Sequence, residues 1–134
     1  MAVTGFHHVA VAVEDLDGAV DAYTRLFGMT LEHRERVEDQ GIEAASLTIG
    51  ESRLELLASL GPDTYVGKFL AKRGPGMHHV AFEADDVAAE LDRLAADGAP
   101  LIDEKPRAGL FGLEIAFLHP DATGGVLTEL VGRG

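Results

Sequence analysis

Gly5-Phe6-His7-His8-Val9-Ala10-Val11 returns as Gly76-Met77-His78-His79-Val80-Ala81-Phe82, displaced by 71 positions. Both copies alternate as strands do, and each leads into an acidic pair, Glu14-Asp15 or Asp85-Asp86, that opens a helical pattern. Leu16, Ala19, Val20, Tyr23 and Phe27 recur at helical spacing, with Asp15 placed to cap that helix and Gly28 to close it. In the second copy Val87, Leu91, Leu94 and Ala95 form the stripe, Asp86 the cap and Gly98 the stop. Three extended segments follow each helix: Thr30–Val37, Ile42–Ile49 and Arg53–Ala58, then Pro100–Glu104, Leu113–Leu118 and Gly125–Val131. The order is βαβββ twice. Leu60–Gly74 joins the copies and carries a short helix near Tyr65–Lys72, capped by Asp63 or Thr64. A repeat of about 55–60 residues is longer than a solenoid period. The expectation is one α+β domain over residues 1–134, built from two modules at about 5–60 and 76–131.

A chain of 134 residues suits one such domain. Asp and Glu number 23 against 11 Lys and Arg, a formal charge of −12, which argues against a nucleic-acid partner. An anionic small molecule stays compatible with local basic clusters, at Lys68, Lys72 and Arg73 and at Lys105 and Arg107. No apolar run approaches the roughly 18–20 residues of a membrane span. The first residues lack the pattern of a secretory signal, and there is no cysteine. These features set the expectation of a cytoplasmic protein without a membrane partner.

A βαβββ sheet covers one face with its helix and leaves the other free. Two such sheets, paired, would make a cup-shaped, barrel-like sheet lined by the uncovered faces. Strand parity assigns Val9, Val11 and Val13 to the helix side, and His8, Ala10 and Ala12 to the cup. In the second copy Val80 and Phe82 take the helix side, and His79, Ala81 and Glu83 the cup. Leu54-Glu55-Leu56 and Thr128-Glu129-Leu130 each set an acid within an apolar strand. Glu55 follows His8 by 47 positions and Glu129 follows His79 by 50. A buried carboxylate costs several kcal/mol unless paired, protonated or metal-bound. Two imidazoles and two carboxylates repeated in this way suit a divalent cation at the centre of the cup. His7 and His78 read as structural, His33 as surface, and His119 before Pro120 as a turn residue.

The same residues carry a family resemblance. His7–Val11, Asp39–Gly41, Leu54–Leu57, Lys68–Lys72, Gly76–Phe82, Phe117–Pro120 and Gly124–Leu130 resemble the vicinal oxygen chelate superfamily, and within it the methylmalonyl-CoA epimerase group. The resemblance implies metal ligands at His8, Glu55, His79 and Glu129, with Co²⁺ or Mn²⁺ favoured and Zn²⁺ or Ni²⁺ admissible. It implies inversion of the α-carbon of methylmalonyl-CoA, or a close acyl-CoA, through a metal-stabilised enolate. Glu129 matches a family acid/base. The family's other catalytic glutamate falls at the place of Ala44, whereas this chain has its acid one residue earlier, at Glu43. That offset turns Glu43 to the opposite face unless a bulge at Gly41 restores it. Lys105 and Arg107, in a glycine-bearing loop, match candidates for the CoA phosphates, and Leu113 stands where relatives often carry a polar residue. A homodimer is expected by the same likeness. Two other functions fit this reading: a glyoxalase-type isomerase of a hemithioacetal, and a non-catalytic small-molecule-binding protein of the same fold. An extradiol iron dioxygenase fits less well, since it takes a two-His-one-carboxylate triad and four ligands are evident here.

Overall fold

A computed structural model describes residues 3–133, the last by its backbone; residues 1, 2 and 134 of the expected domain lie outside it. The chain forms two compact units, His8–His78 and the described residues on either side of that span. The elements of the first module are β1 (Val3–Ala12), α1 (Leu16–Phe27), β2 (Thr30–Val37), β3 (Ile42–Ile49) and β4 (Ser52–Ser59), followed by α2 (Tyr65–Arg73). Its strands lie in the order β2-β3-β4-β1, antiparallel except for the parallel β4–β1 pair. The second module holds β5 (Gly76–Ala84), α3 (Val87–Ala96), β6 (Arg107–Ala108), β7 (Leu113–Leu118) and β8 (Thr128–Arg133). Its order is β5-β8-β7-β6, again with one parallel pair, β5–β8. Each module is therefore βαβββ. Among the described residues no helix is long and apolar enough to cross a membrane.

Equivalent chemistry starts both module helices. The Asp15 carboxylate accepts the Gly18 N–H at 3.0 Å, and the Asp86 carboxylate accepts the Ala89 N–H at 3.0 Å. Gly28 ends α1 at φ 71°, a left-handed conformation that a side chain would strain. Beneath α1, Leu16, Ala19, Val20 and Tyr23 pack on strand residues that include Leu47, Leu54 and Leu56. Beneath α3, Val87, Leu91 and Leu94 pack on Phe82, Ala116, Leu118 and Leu130. Phe27 departs from its stripe and is exposed, resting against the Tyr23 ring. Ala95 is exposed too, while Glu90 is buried on α3 and held by Arg93 at 2.8 Å. Of the two possible caps for α2, Thr64 takes the role, its hydroxyl accepting the Gly67 N–H at 3.0 Å.

Two expected strands are corrected. Pro100–Glu104 forms no strand beyond a single bridge from Leu101 to Leu118. The Asp103 carboxylate takes the Phe117 N–H at 2.8 Å while the Phe117 carbonyl accepts from the Ile102 and Asp103 amides. A side chain thus replaces the main-chain acceptor that a ladder needs. Pairing resumes only at the two-residue β6, which the sequence pattern did not reveal. The last strand begins at Thr128 instead of Gly125, because Gly124 and Gly125 hold φ of 77° and 113° and keep the chain out of the extended region.

If the two caps are equivalent, Asp15→Ala and Asp86→Ala should each lower stability by about 1 kcal/mol in urea denaturation. A loss at one cap and none at the other would contradict the equivalence.

Candidate functional site

In the His8–His78 unit the site is set by what packs under α1. Val9, Val11, Leu54 and Leu56 are drawn to the helix, so alternation sends His8, Ala10, Ala12 and Glu55 to the other face. The parallel register pairs Ala10 with Glu55 and brings His8 Nδ1 to 3.2 Å from Glu55 Oε2. Both side chains are buried, at 2% and 5% exposure.

The other unit repeats the construction. Ala81 pairs with Glu129 in the parallel β5–β8 ladder, and His79 Nε2 lies 3.6 Å from Glu129 Oε1. On the same face Ala81, Ile115 and Val131 are buried, and Leu113 and Phe117 pack against them. The His79 and Phe117 rings meet at nearly a right angle, 5.2 Å between centroids. Arg107 lays its guanidinium over the other ring, 5.6 Å from the Phe117 centroid, with its Nε 3.2 Å from Asp103. Burial pushes the Glu129 carboxyl up to about 8, with the Arg107 charge drawing it back and Asp103 adding to the rise. Burial likewise pushes the His79 imidazole down to about 4. Both groups are uncharged at neutral pH before any cation binds.

Each unit therefore offers one imidazole nitrogen and one carboxylate oxygen within 4.8 Å of each other and withdrawn from water. That donor set fits a borderline divalent cation such as Co²⁺, Mn²⁺, Zn²⁺ or Ni²⁺.

Glu43 is corrected as a catalytic candidate. The β2–β3 register runs without a break from Ile42 to Ser46, so no bulge at Gly41 turns it. Its carboxylate accepts Arg34 Nε at 2.9 Å, and Arg34 also binds Asp17 of α1 at 2.7 Å. Glu43 is thereby committed to the helix face, while Ala44 is fully buried on the opposite one. Lys105, two residues before β6, and Arg107, its first residue, are both exposed, Arg107 tied to Asp103 as above.

His78 is buried against the rings of Tyr65 and Phe69 on α2. His33 is exposed beside Glu35, and His119 accepts the Asp121 N–H at 3.0 Å to start a 3₁₀ turn. His7 is half-buried in β1. Sequence reasoning missed one group, Glu32 with Ser46 and Arg53. Glu32 reaches Ser46 only through an irregularity in the β2–β3 pairing between Leu31 and His33, which no residue pattern announces.

Residues 7–117 match the model of the glyoxalase/bleomycin resistance protein/dioxygenase superfamily. The crystal structure of methylmalonyl-CoA epimerase from Mycobacterium tuberculosis is 41% identical and superimposes with a TM-score of 0.95, covering 99% of this chain and 90% of that one. A methylmalonyl-CoA epimerase in complex with methylmalonyl-CoA and NH4+ is 40% identical, with a TM-score of 0.95 over 99% of this chain and 96% of that one. The mitochondrial methylmalonyl-CoA epimerase of Homo sapiens is 34% identical over 125 residues, 92% of this chain and 71% of that protein.

The burial of Glu129 has a consequence for stability. Above its ordinary value of 4.5 the unfolded chain has released this proton, whereas the folded chain keeps it until about 8. Stability of the metal-free protein is therefore lost as pH rises through that window. His79 opposes this only below its ordinary 6.5, where stability falls as pH drops toward 4. Urea denaturation with chelator from pH 6.5 to 8 should show wild type losing about 1 kcal/mol per unit more than Glu129→Gln. Equal slopes would contradict the buried, protonated carboxyl.

Proposed function

The chain belongs to the glyoxalase/bleomycin resistance protein/dioxygenase superfamily and, within it, to the methylmalonyl-CoA epimerases, and from that premise we propose that it is a metal-dependent isomerase inverting the α-carbon of methylmalonyl-CoA or a close acyl-CoA. The observation that carries the reading is the buried His–Glu pair built twice on equivalent registers, Ala10 with Glu55 and Ala81 with Glu129. His8, Glu55, His79 and Glu129 are the residues that would hold one divalent cation. When bound, that cation supplies Lewis acidity and a template for the thioester and carboxylate oxygens of the substrate.

The α-hydrogen lies between a thioester and a carboxylate, and its removal places negative charge on the thioester oxygen. Glu129, one of the residues that would hold the cation, would take this proton on one face of the carbon. In the metal-free protein its burial raises its proton affinity. His79 stays neutral in the same buried surroundings and remains a nitrogen donor. Ile115, Val131 and Phe117 give this side of the sheet an apolar surface beside Glu129.

Lys105 and Arg107 are assigned to the CoA phosphates, Co²⁺ or Mn²⁺ to the physiological metal, and a homodimer to the working form, each on the family likeness. The single domain of two modules belongs to the same proposal.

Metal-loaded protein given methylmalonyl-CoA in heavy water should interconvert the epimers and place deuterium at the α-carbon. Glu129→Gln should slow inversion at least ~100-fold, the usual range for removing an acid/base group. Unlabelled, uninverted substrate alongside turnover of a glutathione hemithioacetal would move the assignment to a glyoxalase-type isomerase. A tight stoichiometric ligand without turnover would make the protein a binder.

A further inference from the structure

A second polar group stands on the strand face that carries Glu55. Ser46 is fully buried and is the cross-strand partner of Glu55 in the antiparallel β3–β4 pair, so both side chains leave the sheet on one side. Its hydroxyl donates to Glu32 Oε1 at 3.0 Å. Glu32 lies at the irregular step of the β2–β3 pairing, where the register shift between Leu31 and His33 re-aims its side chain. Arg53 fixes that carboxylate from the neighbouring strand, its Nε 2.9 Å from Oε1 and its Nη2 3.1 Å from Oε2. The side chains of Glu32 and Arg53 are 42% and 30% exposed. The group thus runs from solvent to an interior hydroxyl beside the position of Glu55.

Inversion at carbon requires one proton to be taken on one side and another delivered on the other. Under the function proposed above, on which this inference rests, Glu129 serves one transfer while His8 and Glu55 are committed to the cation. We propose that Ser46, backed by Glu32, serves the other transfer and is a catalytic residue of this chain. In one direction the α-proton passes to Ser46 Oγ as the serine O–H proton passes to Glu32 Oε1. The C–H electron pair stays on the substrate as the enolate, and the negative charge leaves Glu32. In the other direction the enolate carbon takes the serine proton while Ser46 recovers one from the Glu32 carboxylic acid. Glu32, open to solvent, exchanges its proton with water between turnovers. Arg53 is a positioning residue that keeps the carboxylate in line with the hydroxyl. The irregular step in β2 thus sets Glu32 within hydrogen-bonding distance of Ser46.

The test uses full-length, metal-loaded wild type, Ser46→Ala and Glu32→Gln, each given the separate methylmalonyl-CoA epimers in heavy water. Inversion is followed by chiral analysis and α-deuterium by mass spectrometry. Wild type should both invert and label; if it does neither, the epimerase reading and this inference fall together. With wild type active, Ser46→Ala should invert at least ~100-fold more slowly, yet the epimer deprotonated by Glu129 should still gain deuterium with retained configuration. Glu32→Gln, at a partly exposed position that tolerates an isosteric change, should show the same split at about 10-fold. Inversion by Ser46→Ala at the wild-type rate would overturn the inference alone. Equal loss of inversion and exchange in both variants would also overturn it, since a merely structural group produces that result.

Discussion

Withdrawing a carboxylate from water beside an imidazole is the constraint around which this chain is arranged. Glu55 and Glu129 are each about 5% exposed, and an uncompensated buried carboxylate costs several kcal/mol. Each has a histidine nitrogen within 3.6 Å. In Glu129 the cost is met by holding the proton, which a cation would displace. The folding problem and the chemical function thus meet in the same side chains. The residues that are hardest to bury are those a divalent ion would stabilise.

The surroundings follow from that demand. Valines and leucines on alternate positions fasten the strands to α1, and so direct His8 and Glu55 away from it. On the same face lie Ala10, Ala12 and Ala44, each fully buried. In the other unit Phe117 packs on His79, and Arg107 lies over the ring, so that a positive charge sits near the Glu129 carboxyl. Strands therefore fix His8, Glu55, His79 and Glu129, and Asp103 in the loop before β6 holds Arg107 at 3.2 Å.

Most of this arrangement was legible in the residues because a repeated strand with fixed parity leaves few options. β2, β3 and β7 begin and end where apolar alternation and turn residues place them. The failures share a cause: a side chain doing the work of the main chain, or a backbone conformation that alternation does not encode. Asp103 breaks the expected strand by accepting the Phe117 amide, and paired glycines delay β8. The Ser46–Glu32 group was invisible for a related reason. Ser46 lies on the face opposite α1, as strand alternation would have it, but the irregular pairing between Leu31 and His33 is what brings Glu32 to it. Glu43 shows the converse, since an unbroken register leaves it with Arg34, where strict alternation puts it.

The central claim is that both His–Glu pairs serve one cation. Equilibrium dialysis of wild type, His8→Ala and His79→Ala against Co²⁺, with metal counted by elemental analysis, bears on it most directly. One ion per wild-type chain, weakened at least tenfold by either substitution, is the result this account requires. Two ions per chain, or a single ion held with undiminished affinity after one of the histidines is removed, would contradict it.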